Sequence, residues 1–499
     1  MSRSGSRDES ISRNFAFGLA AQLGTAAFTA GLTLFLVRML GPAGYGVFAL
    51  ALGFSSLVLL PADFGVSHSS ARFIAERRGD DRAVADVLVN ALRVKLVLTS
   101  IFAALLFALA GPIASLYDST ALAWPLRGIA LAVLGQSVTL LFMYSFVALG
   151  RLSYQFRLVV SESAIEVSAS IALVLLAGGA TAAAFGRAIG YGCGALLGVL
   201  LMVRLLGVRP FAERRGAPST RELVGYAGAL LIIDGVWAIF AQLQLLLVGG
   251  LLGTIAAGIY GAPAKLATFL HYPGLAMANA VAPRLARRPD GLPDVASLRR
   301  ALRYVLVLQA LLAAPIVVWA QPMVDVLLGP DYDRSAEVLR ALVPFLFLQG
   351  FGPLVTLSIN YFGEARRRIP IALGSLLLNV VLAIWLIESI GVVGAAIAID
   401  VAFAFYVGAH LWLCRRLLGL ELGPPALTAM RALLAAGAFV AVLLAIGTEG
   451  LTALDWALGA TAGPLAFVLV LLASRELSVR ELRQLPSTLA RVLPGRSPV

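Results

Sequence analysis

Apolar residues run in stretches of twenty or more, separated by short polar segments, along the whole 499-residue chain. About 20 such residues form a helix long enough to cross roughly 30 Å of hydrocarbon. The stretches lack the two-residue alternation of a transmembrane β-barrel, so the pattern predicts a helical bundle. The predicted spans are 14–37, 45–64, 94–113, 125–149, 158–177 and 182–206, then 223–248, 257–281, 302–328, 336–361, 370–390 and 394–414, and finally 427–447 and 454–473. The expected fold is therefore an all-α integral membrane protein of fourteen helices.

The turn between the first two spans has a copy further on. Arg38-Met39-Leu40-Gly41-Pro42-Ala43-Gly44-Tyr45-Gly46 is echoed by Leu252-Gly253, four residues, and Gly258-Ile259-Tyr260-Gly261, at an offset of 212. At that offset Pro61 meets Pro273, Arg72 meets Arg284 and Gln22 meets Asp234. At 213, Arg127 meets Arg340, Gln136 meets Gln349, Gly150 meets Gly363 and Arg187 meets Asp400. Collinear matches of this kind indicate a duplicated half. The shift carries the first span onto the seventh, an even number of crossings, so the halves are parallel repeats about an axis along the membrane normal. The expected division is an N-lobe over 1–206, a linker over 207–222, a C-lobe over 223–418, two further helices over 419–474 and a tail over 475–499.

Composition agrees: 60% of residues are hydrophobic, 13% are charged and mean hydropathy is +0.91. The net charge of +12 and pI near 10.2 would fit a nucleic-acid partner if the cations were clustered. They alternate instead. With the N-terminus inside, thirty-two of the 39 Lys and Arg residues fall in inner segments and only Arg38 and Arg334 in outer loops. Basicity here is a topology signal, which places both termini in the cytoplasm and argues against nucleic acid. Residues Met1 to Arg13 are short and polar, and the apolar run after them is too long for a signal peptide, so the first helix is expected to be uncleaved. The segment 67–93, with Arg72, Glu76, Arg77, Arg78 and Arg82, reads as inner surface helices with snorkelling arginines.

Catalytic chemistry is missing. The two lysines follow Val94 and Ala264, so no Walker pattern exists. His68, His271 and His410 are scattered, and Cys193 and Cys414 lie in apolar spans, which leaves no zinc or disulfide framework. Asp331-Tyr332-Asp333, the one DxD, reads as a hydrophilic outer turn. Neither an enzyme nor a cofactor is expected.

What remains is a small set of ionisable residues inside the spans, each costing about 2.5–3.5 kcal/mol on insertion scales. Arg127 and Arg340 sit near outer helix ends at matching repeat positions. Lys265 lies about two turns into its span. Arg187 and Asp400 are repeat equivalents of opposite sign, read either as an ion pair between the halves or as pathway residues. Asp234 lies at mid-depth opposite Gln22 and is, with Asp400, a candidate for coupling to an ion. Lys265, Arg187, Arg127 and Arg340 are the candidate cations of a wet cavity, and Glu162 and Glu166 are expected to pair with Arg157.

With Arg38 to Gly46, the Gly329-Pro330-Asp331-Tyr332 to Leu339-Arg340 stretch and the six-plus-six-plus-two plan, the chain resembles the polysaccharide biosynthesis proteins. These are the Wzx-type oligosaccharide flippases of the multidrug/oligosaccharidyl-lipid/polysaccharide exporter superfamily. The resemblance covers nearly the whole chain. It implies alternating access that carries an undecaprenyl-diphosphate-linked oligosaccharide from the inner to the outer leaflet of the bacterial cytoplasmic membrane. Membrane lipids, and a polysaccharide polymerase or glycosyltransferases, are the implied partners. Lipid II flippases resemble the same plan but carry arginines in the first helix, where this chain has none between Arg13 and Arg38. Multidrug exporters of the superfamily place a carboxylate there, where this chain has Gln22.

Overall fold

The computed structural model describes residues 11–212, 228–285, 293–478 and 481. Among them no strand occurs, and twelve helices are long and apolar enough to span a membrane. The first of these is α1 (Ile11–Asp63), whose 53 residues at 1.5 Å rise are far too long for one crossing. It is two helices joined at Gly41, whose φ of 63° and ψ of 178° are not helical and suit a residue without Cβ. One further crossing is assembled from pieces, since α9 (Thr254–Ala267) and α10 (Tyr272–Val281) are joined by a 3₁₀ turn over Thr268–His271. Splitting α1 and counting the broken crossing gives the fourteen helices expected.

The remaining elements follow in order. They are α2 (Val66–Glu76), α3 (Asp81–Leu116), α4 (Ala123–Ala148), α5 (Leu152–Ala177), α6 (Gly179–Leu206), a single turn α7 (Arg209–Ala212) and α8 (Gly228–Leu252). Beyond α10 come α11 (Val295–Leu327), α12 (Ser335–Ala341), α13 (Val343–Gln349), α14 (Phe351–Tyr361), α15 (Ile369–Ile390), α16 (Val392–Leu418), α17 (Gly423–Ile446) and α18 (Ala453–Ala473). Packing divides the chain into two units, with the boundary between Gly258 and Ile259.

In the first unit, α2 is more than a surface helix. Arg72 and Glu76 pair in solvent at 2.9 Å, yet Val66, Ser67, Ser69, Ser70 and Ile74 on its other face are buried. Ile74 joins Val87, Leu88, Phe142, Phe146, Leu158 and Met202 in one apolar cluster. Asp80 caps α3 by accepting from the backbone of Arg82 and Ala83 at 3.1 Å each. Along α3 itself Leu96, Val97, Ile101, Leu105 and Leu109 point outward. Such an exposed apolar row suits a lipid-facing surface.

The duplicated turns pack on one another within this unit. A Cβ on Gly46 would strike the carbonyl oxygen of Thr254, and a Cβ on Gly258 would strike that of Pro42. Gly46 and Gly258 are repeat equivalents, as are Pro42 and Thr254, so the contact is reciprocal.

The second unit holds its last two helices through aromatic packing. Phe439 of α17 and Phe467 of α18 join Ala310, Ala314 and Trp319 of α11 in one cluster, and Gly459 and Gly463 make room for Trp319 and Phe439. Trp319 donates from its indole Nε1 to the Gly447 carbonyl at 3.0 Å. Thr452 and Asp455 form a capping box at the start of α18. Just past its end Glu476 is buried and accepts from Thr428 at 2.9 Å, Arg303 at 2.8 Å and Arg431 at 3.0 Å. The tail from 482 onward lies outside the described residues. In the DxD turn Tyr332 is buried while Asp331 and Asp333 are exposed, as a hydrophilic turn requires.

Candidate functional site

Polar side chains inside the bilayer gather where helices approach closely. On α6 the glycines recur every fourth residue, at 186, 190, 194 and 198, so one face of the helix is bare backbone. Small residues at that spacing let a neighbouring helix come close. Helix α5 does so, antiparallel, in register. A Cβ on Gly186 would collide with Ser170, one on Gly190 would lie 2.5 Å from the Glu166 Cβ, and one on Gly194 would lie 2.6 Å from the Glu162 Cγ. The fourth step meets Phe142 of α4, again at 2.6 Å.

This ladder draws Glu162 and Glu166 into the interface, where they are only 6% and 8% exposed. Arg187 of α6 reaches across and pairs with Glu166. Its other terminal nitrogen donates to the Tyr191 hydroxyl at 3.1 Å, and its guanidinium lies 4.8 Å from the centre of that ring. Glu162 accepts at 3.3 Å from the Ser163 hydroxyl, while its Oε1, like the Arg187 Nε, is buried without a hydrogen-bond partner. The expected cation was Arg157. It lies instead over the Tyr154 ring at 5.5 Å. Five and nine residues before the two glutamates on the same helix, it is at neither the i+3 nor the i+4 spacing from which side chains meet, whereas Arg187 comes from the facing helix.

A second buried pair is one that the sequence pattern does not announce. Lys95 is fully buried in α3 and donates to Asp63, the last residue of α1, and to the Ser67 hydroxyl at 2.6 Å. Ser67 in turn donates to Asp63 at 2.6 Å. One turn further along α3, Thr99 donates to Ser137 of α4 at 2.9 Å. A signal was present: one of only two lysines stands at the start of an apolar run, and Asp63 stands at the end of another.

In the second unit Asp400 accepts from the Phe345 backbone N–H at 2.8 Å, so it satisfies a free donor at the start of α13, where Pro344 begins the helix. Arg187 and Asp400 thus each have their own partner. Arg368 is buried and donates to Asn360 at 2.6 Å, with His410 and Tyr406 each 3.4 Å away. Lys265 lies exposed in the last turn of α9, beside the 3₁₀ break. Arg340 is exposed at the end of α12. Arg127 is half-buried, its guanidinium 4.7 Å from Trp124 and 5.6 Å from Phe107. Asp234 is on α8, and its side chain lies outside the described residues. Among the described residues no cluster of three or more His, Cys, Asp or Glu suits a metal ion.

The family and the fold of the chain have counterparts. A family model described as polysaccharide biosynthesis protein matches residues 35–337. The lipid II flippase MurJ, in an inward closed conformation, shares the fold with a TM-score of 0.63 at 14% identity, over 94% of this chain and 99% of that one. An inward-facing multidrug resistance MATE family transporter of the MOP superfamily matches at 0.64 and 15%, over 80% and 96%. The MATE multidrug transporter DinF-BH matches at 0.59 and 16%, over 83% and 98%. No curated relative matches the sequence.

Proposed function

The chain belongs to the polysaccharide biosynthesis protein family, and from that premise we propose that it is a flippase for a polyprenyl-diphosphate-linked oligosaccharide, working by alternating access. The observation that carries the reading is the family match over residues 35–337, joined to a transporter fold with charges buried in its spans. A transporter of this kind is not an enzyme. Its substrate has three parts with different needs: the lipid tail stays in the bilayer, the sugar needs water, and the diphosphate needs cations.

Lys265, Arg127 and Arg340 are the proposed contacts for the diphosphate. Lys265 is the strongest of them, because it projects from a helix end at a break in a span rather than from a continuous helix. Arg187 is committed to Glu166, so we assign it to the charge network of α5 and α6 rather than to the phosphate. The proposed setting is the bacterial cytoplasmic membrane with both termini inside, where glycosyltransferases load the carrier and a polymerase receives it.

The test is depletion of the protein in the producing cell. A lipid-linked oligosaccharide should accumulate on the cytoplasmic leaflet, Lys265→Ala should fail to relieve this at normal expression, and Lys265→Arg should relieve it in part because charge matters more than shape. Full relief by Lys265→Ala would remove Lys265 from the pathway.

A further inference from the structure

The charges around the glycine ladder do not balance. Glu162 and Glu166 stand one turn apart on α5, 6% and 8% exposed, and among the described residues Arg187 alone brings a positive charge to them. Arg187 pairs with Glu166. Glu162 is left with the Ser163 hydroxyl donating to one oxygen at 3.3 Å, no donor to its Oε1, and the Glu166 carboxyl within hydrogen-bonding reach. With both carboxyls ionised, the helix pair would carry one net negative charge inside the membrane, where an uncompensated charge is strongly disfavoured. One proton removes that charge.

The geometry points to the Glu162–Glu166 pair as a proton-binding site that couples transport to the proton gradient, an inference that rests on the flippase reading above. Titratable groups facing Glu162 are Glu166 on its own helix and Arg187 and Tyr191 on α6. Helix α4 brings the Thr139 hydroxyl to the same contact, and α1, which also packs on α5, has no titratable side chain between Asn14 and Val37. At Gly194 a single added carbon would lie 2.6 Å from the Glu162 Cγ and 3.0 Å from the Thr139 Oγ1, so α6 is closed tightly over the stem of this side chain. Packing alone does not demand charge, because the repeat equivalents of Glu162 and Glu166 are Ser375 and Asn379, both buried and neutral.

The test uses the full chain in detergent and then in vesicles. Infrared difference spectra across a pH step should show the carbonyl band of a protonated carboxylic acid that is lost in the isosteric Glu162→Gln and kept in Asp400→Asn. In proteoliposomes carrying a fluorescent polyprenyl-diphosphate sugar, an imposed proton gradient should change wild-type flipping several-fold and leave Glu162→Gln unresponsive. If Glu162→Gln does not fold, Glu162→Asp should keep the band at a shifted titration point. Persistence of the band or of the gradient response in Glu162→Gln overturns the proposal, as does a response to sodium in place of protons. If the band belongs to Glu162 but no probe moves in wild type, the flippase reading fails while the proton site stands.

Discussion

In the first half of the molecule Glu162 and Glu166 turn toward α6, and 213 residues later the second half sets Ser375 and Asn379 on α15 beside α16. All four residues are buried, so each half places two buried polar groups one turn apart at matching repeat positions. In the first half the groups are acids, and a guanidinium from the facing helix is recruited to one of them. In the second, Ser375 donates back to the Ile371 carbonyl of its own helix at 2.7 Å, and the repeat equivalent of the arginine, Asp400, caps α13 instead. Duplication preserved the position of polarity and let its charge diverge. At this pair of positions only the first half carries ionisable groups, so only there can a change of protonation change the energetics.

The contrast is sharpest when Arg187 is removed. Arg187→Gln leaves two buried carboxyls facing each other without a cation, a change worth about 3–5 kcal/mol for a broken buried pair. Thermal unfolding in detergent should fall accordingly and recover in the double variant with Glu166→Gln. An unchanged melting temperature would mean that the pair contributes nothing to packing.

Next in size is the ladder itself. Gly190→Ala forces a methyl against the Glu166 Cβ and should cost about 1–3 kcal/mol, as overpacking does. Gly192, two residues on, has nothing within 4 Å of the same atom, so Gly192→Ala should be neutral or slightly stabilising in the same melt. Equal effects at the two sites would break the argument that close approach positions the acids.

In the second half the corresponding change should be small. Ser375→Ala removes a hydroxyl bonded within its own helix and is expected to cost no more than roughly 1 kcal/mol. A loss as large as that from Arg187→Gln would erase the difference between the halves.

The smallest effect concerns pH at the membrane edge. Burial alone would raise the Glu476 carboxyl, but its bonds to Arg431, Arg303 and Thr428 hold it below the ordinary glutamate value. A carboxyl depressed in the folded state contributes stability at neutral pH that is lost as pH falls below about 4.5 and through its folded value. The acid limb of a pH–melting curve should flatten in Glu476→Gln, and an unaltered limb would mean that the bonds from Arg303, Arg431 and Thr428 to Glu476 add nothing to stability.

Much of this was legible in the sequence, for a physical reason. Span lengths follow from run lengths, and the Gly41 and Gly253 turns announce themselves because glycine marks a backbone break; both residues have positive φ. The partners of the charges were not legible. A span that is apolar all round does not declare which face meets which neighbour, so the pattern pairs Glu166 with Arg157 on its own helix rather than with Arg187 across the interface. The glycines at 186, 190, 194 and 198 were the missing signal, since their spacing marks the contact face of α6 and hence the register of α5. Lys95 stays hidden because a cation at the edge of a run reads as snorkelling, whereas it turns inward to Asp63.

The central claim is that the chain moves a diphosphate-linked sugar lipid across a bilayer, and reconstitution tests it most directly. Purified protein in vesicles containing a fluorescent polyprenyl-diphosphate oligosaccharide should move the headgroup between leaflets, as read by a membrane-impermeant quencher, with loss of that activity in Lys265→Ala. A rate equal to that of protein-free vesicles, for correctly folded wild-type protein and for both short and long oligosaccharides, would contradict the account.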